Sequence, residues 1–159
     1  MTISEWANLP AIESLRAAAY LYQDLEHVIA FGIDEEGSVG TLFTPDSSPM
    51  ELLWMLKGLE LSTVMEFDDP MPLLTDDYLK FKDDISAETM HPILLAASEQ
   101  MEGVAHTIAV GMLPDRQITI ASSEEVDFMH INFCADWCRH QILAQLIDYE
   151  DAEPIYEDA

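Results

Sequence analysis

The most concentrated set of candidate metal ligands is the segment MHINFCADWCRH, residues 129–140. His130, Cys134 and Cys138 are spaced four residues apart, and His140 follows two residues later. Imidazole and thiolate groups are common ligands of Zn²⁺. On one helix, however, His130 and Cys138 would be about 12 Å apart along the axis, and bonds of about 2.0–2.3 Å cannot gather both around one ion. At most two of the four side chains can therefore share a metal, and we predict no metal site.

The two halves of the sequence are similar, and this internal repeat assigns both cysteines to the core. When the two halves of the chain are aligned without a gap, Cys134 and Cys138 correspond to Met55 and Leu59, which are apolar. Cysteine is often buried as a small hydrophobe, and neither thiol has a helix start or a suitably placed cation to activate it. Two cysteines four residues apart do not make a disulfide framework, which favours a reducing compartment. We expect packed thiols, no cofactor and a cytoplasmic protein.

Carboxylates occur in adjacent pairs along the whole chain, but adjacent residues point in different directions. They therefore do not form the facing acid and base of a catalytic cleft. His27 and His106 precede two similar strands, and neither belongs to a Ser/His/Asp or Cys/His pattern. The sequence has no Gly-rich phosphate loop, no HExxH and no GxSxG. We predict a non-enzymatic protein with no catalytic residues.

Two similar stretches, HVIAFG at 27–32 and HTIAVG at 106–111, are separated by half the length of the chain. We call positions equivalent when the ungapped alignment of these two stretches pairs them, as it pairs His27 with His106. Each stretch precedes a turn sequence (GIDEEGS or GMLPDRQ) and a second apolar stretch (SVGTLF or QITIAS). Alternating apolar residues in the first stretch of each half predict a strand with one buried face.

A helix start follows the hairpin in each half. Ser48, Pro49 and Glu51 form a capping-box pattern in the first half, and Asp127 is the candidate cap in the second. Alanine- and leucine-rich segments before each hairpin predict two further helices. The predicted helices cover residues 9–25, 49–66, 89–104 and 127–147.

The fold class that follows is α+β, an internally duplicated αββα unit with a four-stranded antiparallel sheet packed with helices. A chain of 159 residues fits one domain. We divide it into pseudo-repeats at about 1–79 and 80–148 and an acidic C-terminal tail at 149–159.

The charge of the chain is its most unusual property, since 31 acidic residues against 6 basic ones give a net charge of −25. A compact globule of this length is roughly 39 Å across, and duplex DNA, with about one charge per 1.7 Å of axis, holds about 23 charges over a similar span. Such a surface repels nucleic acid and anionic membranes and attracts basic protein surfaces. Solubility and adaptation to high salt are alternative explanations of the acidity. The chain has no apolar run long enough to predict a transmembrane helix. Its N-terminal residues lack the pattern of a secretory signal.

The helix in SPMELLWMLKGLELSTVME is apolar around most of its circumference, with a predicted polar strip at Glu51, Gly58, Ser62 and Glu66. A helix of this kind is buried in its own domain or partly covered by a second subunit, so a homodimer is an open alternative. The repeated YEDA at 149–152 and 156–159 reads as a solvated tail. A docking peptide anchored by tyrosines is the alternative interpretation.

The hairpin with its DEEG turn, followed by ELLWMLKGLEL, resembles small acidic phage and prophage proteins in which a β-hairpin precedes an "ELLxxL" helix. The resemblance implies a mobile-element context, where small acidic proteins that block host nucleic-acid-binding machinery are common. It assigns no functional residues.

From the charge and the resemblance we expect an inhibitor that mimics nucleic acid. Its partner would be a basic nucleic-acid-binding protein of the host, acting in defence, restriction or transcription. We expect no direct binding to nucleic acid and none to membranes. The alternative function is a structural or adaptor module that acts through apolar helix faces or the YEDA tail. The expected partner-binding residues are clustered carboxylates: Asp34, Glu35, Glu36, Asp68, Asp69, Asp76, Asp77, Asp83, Asp84, Glu124, Glu125, Glu150 and Asp151.

Overall fold

The computed structural model describes residues 9–64 and 82–151, with side chains over 9–64 and 83–146. These residues form four helices and four strands, so the fold is mixed α+β as predicted. The elements in chain order are α1 (Ala11–Leu21), β1 (His27–Ile33), β2 (Val39–Phe43), α2 (Pro49–Leu61), two 3-10 turns (Lys82–Asp84 and Ala87–Thr89), α3 (Pro92–Gln100), β3 (His106–Met112), β4 (Ile118–Ser122) and α4 (Phe128–Asp151).

The four strands form one antiparallel sheet in the order β2-β1-β3-β4. Each hairpin contributes two neighbouring strands, and the first strands of the two hairpins pair at the centre of the sheet, where Ala30 lies opposite Ala109. The two hairpin turns also correspond. The residues with positive φ in them are Gly37, at +87°, and Arg116, at +71°, and these two positions are equivalent.

Helices cover both faces of the sheet. Ile29 and Phe31 of β1 pack in a core cluster with residues of α2 and α4, whereas the alternate residues Val28 and Ala30 pack with α1 and α3. The prediction of a single buried face was therefore wrong for β1, all of whose residues are buried. An inner strand between two helical layers has no face directed at solvent.

Hydrogen bonds next to the hairpins recur at equivalent positions of the two halves. The Thr44 N–H donates to the Val28 carbonyl, as the Ser123 N–H does to that of Thr107. In return, the Val28 N–H donates to Thr44 Oγ1 over 3.2 Å and the Thr107 N–H to Ser123 Oγ over 2.9 Å. The two described αββα segments thus place equivalent residues in equivalent bonds.

The helices differ in length from their predictions. The helices α1 and α3 end early, at Leu21 and Gln100, because the chain must turn back into the following strand. Their last turns are closed by N–H groups of Tyr22 and Met101, which donate to carbonyls four residues earlier. In contrast, α4 continues to Asp151, so the predicted tail at 149–159 begins within a helix. Within the described residues, no helix combines the length and apolar character needed to cross a bilayer.

Candidate protein-binding surfaces

Most of the predicted partner-binding carboxylates that the structure describes lie at one end of the sheet. At this end β1 finishes at Ile33, opposite the start of β3 at His106, and β4 finishes at Ser122, opposite Ile108. The turn 34–38, the connection 101–105 and the loop 123–127 therefore all lie here. None of these three segments contains Lys or Arg. We define the acidic end by their seven carboxylates: Asp34, Glu35, Glu36, Glu102, Glu124, Glu125 and Asp127.

The other predicted partner-binding residues are not part of this surface. Asp83 and Asp84 lie in the 3-10 turn before α3, where Asp83 lines a shallow cleft with Glu13 and Arg16. They are exposed carboxylates, as predicted, but they belong to the α1–α3 layer. Four of the other predicted residues lie outside the described part of the chain: Asp68, Asp69, Asp76 and Asp77. The backbone of Glu150 and Asp151 ends α4, but their side chains lie outside the described ones.

Two of the seven carboxylates at the acidic end also hold the local backbone. Asp34 Oδ1 accepts hydrogen bonds from the N–H groups of Glu36, at 2.9 Å, and Ser38, at 2.8 Å, which fixes the hairpin turn. Asp127 Oδ1 caps α4 by accepting from the N–H groups of Met129 and His130. These bonds, above all the one from His130, lower the pKa of Asp127 because they stabilise its charged form. The glutamates of the acidic end are all exposed.

A cleft of about 460 Å³ opens between the hairpin turn and the first turns of α4. We call it the α4 cleft. Its lining combines apolar groups, carboxylates and imidazoles: Ile33, Asp34, Glu35, Gly37, Ala105, His106, Met129, His130 and Phe133. Two of these apolar side chains are exposed, Met129 by 77% and Phe133 by 52%. An apolar wall next to acidic groups suits a ligand that has both an apolar and a cationic part.

Two histidines meet in the α4 cleft. The rings of His106 and His130 are 4.4 Å apart between centroids and inclined by 40°. His130 Nδ1 accepts a hydrogen bond from the Asp127 N–H at 3.1 Å, which completes the cap of α4. His106 Nδ1 is buried and has no hydrogen-bond partner among the described residues. It is therefore an exception among buried polar atoms, most of which are paired in folded proteins.

The equivalent position in the first half has a different chemistry. His27 and Glu51 are equivalent to His106 and His130, and His27 Nε2 lies 2.7 Å from Glu51 Oε2. Arg116 takes the place of Gly37 in the corresponding turn. The pKa of Glu51 is lowered chiefly by the Ser48 N–H, and also by the charges of His27 and Arg116. The first half thus pairs its histidine internally and carries a cation where the α4 cleft carries none.

The outer side of α2 and α4 is a second candidate surface. The exposed apolar side chains of these helices and of the residue range just after α2 are Met50, Trp54, Leu61, Val64, Phe128, Met129, Phe133, Leu143 and Leu146. We call this set the apolar face. Residues 49–64 and 127–146 contain four carboxylates and two cations, so they carry only −2 of the total charge of −25.

The predicted polar strip of α2 was wrong in part. Gly58 faces the sheet, since a Cβ there would lie 2.9 Å from Ile118 Cγ2. Ser62 is fully buried, and its hydroxyl donates to the Leu59 carbonyl over 2.6 Å. The side of α2 that faces solvent carries Met50 and Trp54 instead. Gly58 thus allows the helix to approach β4 closely, because a larger side chain there would meet Ile118.

Both cysteines pack in the core, as the sequence predicts. Cys134 and Cys138 are buried in the cluster between the sheet and the α2–α4 layer. Burial raises the pKa of Cys134 to about 12 and that of Cys138 to about 11, because an apolar environment disfavours the thiolate. His140 Nδ1 lies 2.8 Å from the Asp136 carbonyl oxygen, and His140 is not part of the core cluster that contains both thiols. Within the part of the chain that the structure describes, no three His, Cys, Asp or Glu side chains are grouped so that they could hold a metal ion.

Comparisons with family models, with curated proteins and with solved structures give no significant match for this chain. Function is therefore inferred from the surfaces described above. The residues that the sequence predicts to bind a partner do not include Glu102, Asp127, Met129 or Phe133, and His106 has no predicted role. The available signal was the difference between the halves, because Gly37 corresponds to Arg116 and His130 to Glu51.

Proposed function

We propose that this chain is a non-enzymatic binding protein whose acidic end occupies a basic, nucleic-acid-binding surface of another protein. The observation that supports the proposal is the concentration of seven carboxylates, with no Lys or Arg in the same segments, at one end of a rigid sheet. Charges of one sign on a fixed scaffold attract a partner of opposite charge and direct its approach. Blocking such a surface would make the protein a mimic of nucleic acid and an inhibitor of its partner.

The α2–α4 layer carries little charge, and this contrast supports a role for the acidic end. Nearly all the charge of the chain lies outside residues 49–64 and 127–146, which carry −2 of −25. General solubility would be served equally well by carboxylates spread over all surfaces. An uneven distribution is instead the pattern expected of a surface that recognises charge.

The proposal is tested by capture of partners on the immobilised chain, at 0.1 M and 0.5 M NaCl, from lysate of the source cells or of their host. Captured proteins should be basic and should be released by the higher salt, because screening shortens the range of exposed charges from about 10 Å at 0.1 M to about 3 Å at 1 M. Duplex DNA added at low salt should displace them, since it competes for the same basic surface. Retention of the partners in the presence of excess DNA would contradict the proposal.

Two variants with matched charge locate the binding surface. One carries E35Q, E36Q, E124Q and E125Q at the acidic end. The other carries D24N, E26Q, D46N and D115N, which change exposed carboxylates at the opposite end of the sheet. Both have a net charge of −21, four units less negative than the −25 of the natural chain. The first should weaken capture of the partner much more than the second, and equal losses would indicate non-specific attraction.

A second candidate function, an adaptor or homodimer acting through the apolar face, is favoured by a separate observation. Met50 and Trp54 on α2, and Met129 and Phe133 on α4, are all more than half exposed. Exposed apolar side chains on one layer of helices are typical of a protein interface. Light scattering of the natural chain and of M50S/W54S tests this candidate. A dimer that survives 0.5 M NaCl and dissociates in the variant would support it, whereas a monomer at all concentrations would count against it.

We also propose that the chain arose by duplication of an αββα unit. The support is the recurrence of hairpin register, turn conformation and strand-flanking hydrogen bonds at equivalent positions of the two halves. If this origin is correct, residues 1–79 expressed alone should form a symmetric dimer in which two copies of β1 pair with Ala30 opposite itself. A half that stays monomeric and unfolded would oppose this account of its origin.

A further inference from the structure

We infer that the α4 cleft receives one apolar side chain of a protein partner, and that this side chain is flanked in the partner by Lys or Arg. The inference depends on the proposed function, because it specifies how the acidic end distinguishes one basic segment from another. Charge alone attracts any cationic surface, whereas a cleft beside the carboxylates adds a requirement for shape.

The size and lining of the cleft favour an apolar group. Its volume of about 460 Å³ falls within the range of roughly 300–1,000 Å³ that is usual for small-molecule sites, enough for one large side chain and its neighbours. Met129 and Phe133 form an exposed apolar wall, and Ile33 and Ala105 complete the apolar part. An anchor side chain that covers this wall would remove it from water, which is the main source of affinity at hot spots.

Cationic neighbours of that anchor follow from the other lining residues. Asp34 and Glu35 line the same cleft, and none of its lining residues is Lys or Arg. Glu36 follows them in the turn. A segment that enters the cleft must therefore pass carboxylates, and Lys or Arg beside the anchor would interact favourably with them.

The equivalent site in the first half shows which features of the α4 cleft come from the shared fold and which are its own. Met50 and Trp54 are equivalent to Met129 and Phe133, and their exposures of 80% and 54% are closely similar to those of their counterparts. Arg116 occupies the position of Gly37 there and would repel a cationic segment. The two halves thus share the apolar wall, but the acidic turn without a cation belongs to the α4 cleft.

The same charges disfavour a second copy of this chain as the occupant. Each copy carries a charge of −25, and any copy that entered the α4 cleft would bring its acidic surface close to Asp34 and Glu35. Like charges that are brought together at an interface oppose association. A basic protein segment is therefore the occupant that the lining favours.

The test uses two fluorescein-labelled seven-residue peptides, each with six Lys and Arg residues around a central Phe or a central Ala. Binding to the full chain is measured by fluorescence anisotropy at 0.15 M NaCl. We expect the Phe peptide to bind at least tenfold more tightly than the Ala peptide, since the two differ only in the side chain that reaches the apolar wall.

Serine variants of the wall locate the effect. In F133S, and separately in M129S, the preference for Phe over Ala should fall below twofold. The matched controls are W54S and M50S, which remove equally exposed apolar side chains from the first half and should keep the tenfold preference. Thermal unfolding followed by circular dichroism verifies that all four variants are folded, and two wall variants are available if one is not.

The outcomes separate this inference from the proposal on which it depends. If both peptides bind with equal affinity, the α4 cleft does not select an apolar anchor and the inference is overturned, while the acidic end keeps its proposed role. If the preference for Phe is lost in W54S but kept in F133S, the anchor binds elsewhere and the inference is likewise overturned. If neither peptide binds at 0.15 M NaCl or when the measurement is repeated at 0.05 M NaCl, the proposed function itself fails.

Discussion

Gly111 on β3 offers a quantitative test of how closely the α1–α3 layer packs on the sheet. A Cβ added at this position would lie 2.4 Å from Leu25 Cδ1 and 2.9 Å from Leu25 Cδ2. Ordinary contacts between carbon atoms are about 3.5–4.0 Å, so G111A must displace Leu25. That side chain is 7% exposed and packs in the core cluster of this layer. It has little room to move without disturbing its neighbours.

We expect G111A to lower the free energy of unfolding by about 1–3 kcal/mol, the usual cost of inserting a methyl group into a packed core. The matched control is G32A, at the equivalent position on β1. The nearest atoms to a Cβ at Gly32 are Met101 Sδ, at 3.0 Å, and Val104 Cγ1, at 3.1 Å, both longer contacts than those at Gly111. Because a methionine side chain is unbranched and adapts easily, G32A should cost less, about 1 kcal/mol or below.

Urea unfolding followed by tryptophan fluorescence and circular dichroism measures both variants. A double-mutant cycle with L25V then isolates the contact, because the smaller side chain makes room for the new methyl group. The coupling energy between G111A and L25V should be favourable by about 1 kcal/mol or more. Equal losses in G111A and G32A, together with a coupling energy near zero, would refute this description of the packing.

Three further predictions concern stability and reactivity. S48A removes the side chain that caps α2 and should cost about 1 kcal/mol in urea unfolding; no measurable loss would contradict the capping box. Burial raises the pKa of Cys134 to about 12 and that of Cys138 to about 11. At pH 8 their reaction with a thiol reagent should therefore be about 1,000-fold slower for Cys134 and about 100-fold slower for Cys138 in the native than in the denatured protein. Reaction of either native thiol at the denatured rate would show that the core is open. Burial lowers the pKa of His91, so the unfolded state takes up a proton first, and His91 should contribute stability that is present above pH 6.5 and lost as the pH falls through its lowered folded pKa. H91N should therefore flatten the fall in unfolding free energy between pH 7 and pH 5 relative to the natural chain, and an unchanged slope would assign that fall to other groups.

The hairpins and the helix starts could be predicted from the sequence because their signals are local. The capping box of Ser48 and Glu51 is present with both of its hydrogen bonds, and Asp127 caps α4 as expected. Alternation of apolar residues located β1 and β3 within the bounds that the structure shows. It could not reveal that β1 has helices on both faces, since that depends on contacts between elements distant in the chain.

The α4 cleft could not be predicted because it depends on contacts across the fold. His106 and His130 lie on different elements, and only the pairing of β3 with β1 brings the turn at Asp34 next to both. The helix α2 illustrates the same limit. Its composition indicated an apolar helix, but not that Gly58 lies against Ile118 or that Ser62 is buried.

The affinity of the captured partner, measured from 0.05 M to 0.5 M NaCl for three forms of the chain, tests the proposed role of the acidic end. The forms are the natural chain, the acidic-end variant E35Q/E36Q/E124Q/E125Q and the opposite-end variant D24N/E26Q/D46N/D115N. If the acidic end is the contact surface, the first variant should bind at least tenfold more weakly than the second at 0.1 M NaCl and should depend less steeply on salt. Equal affinities and equal salt dependence in the two variants would contradict the account.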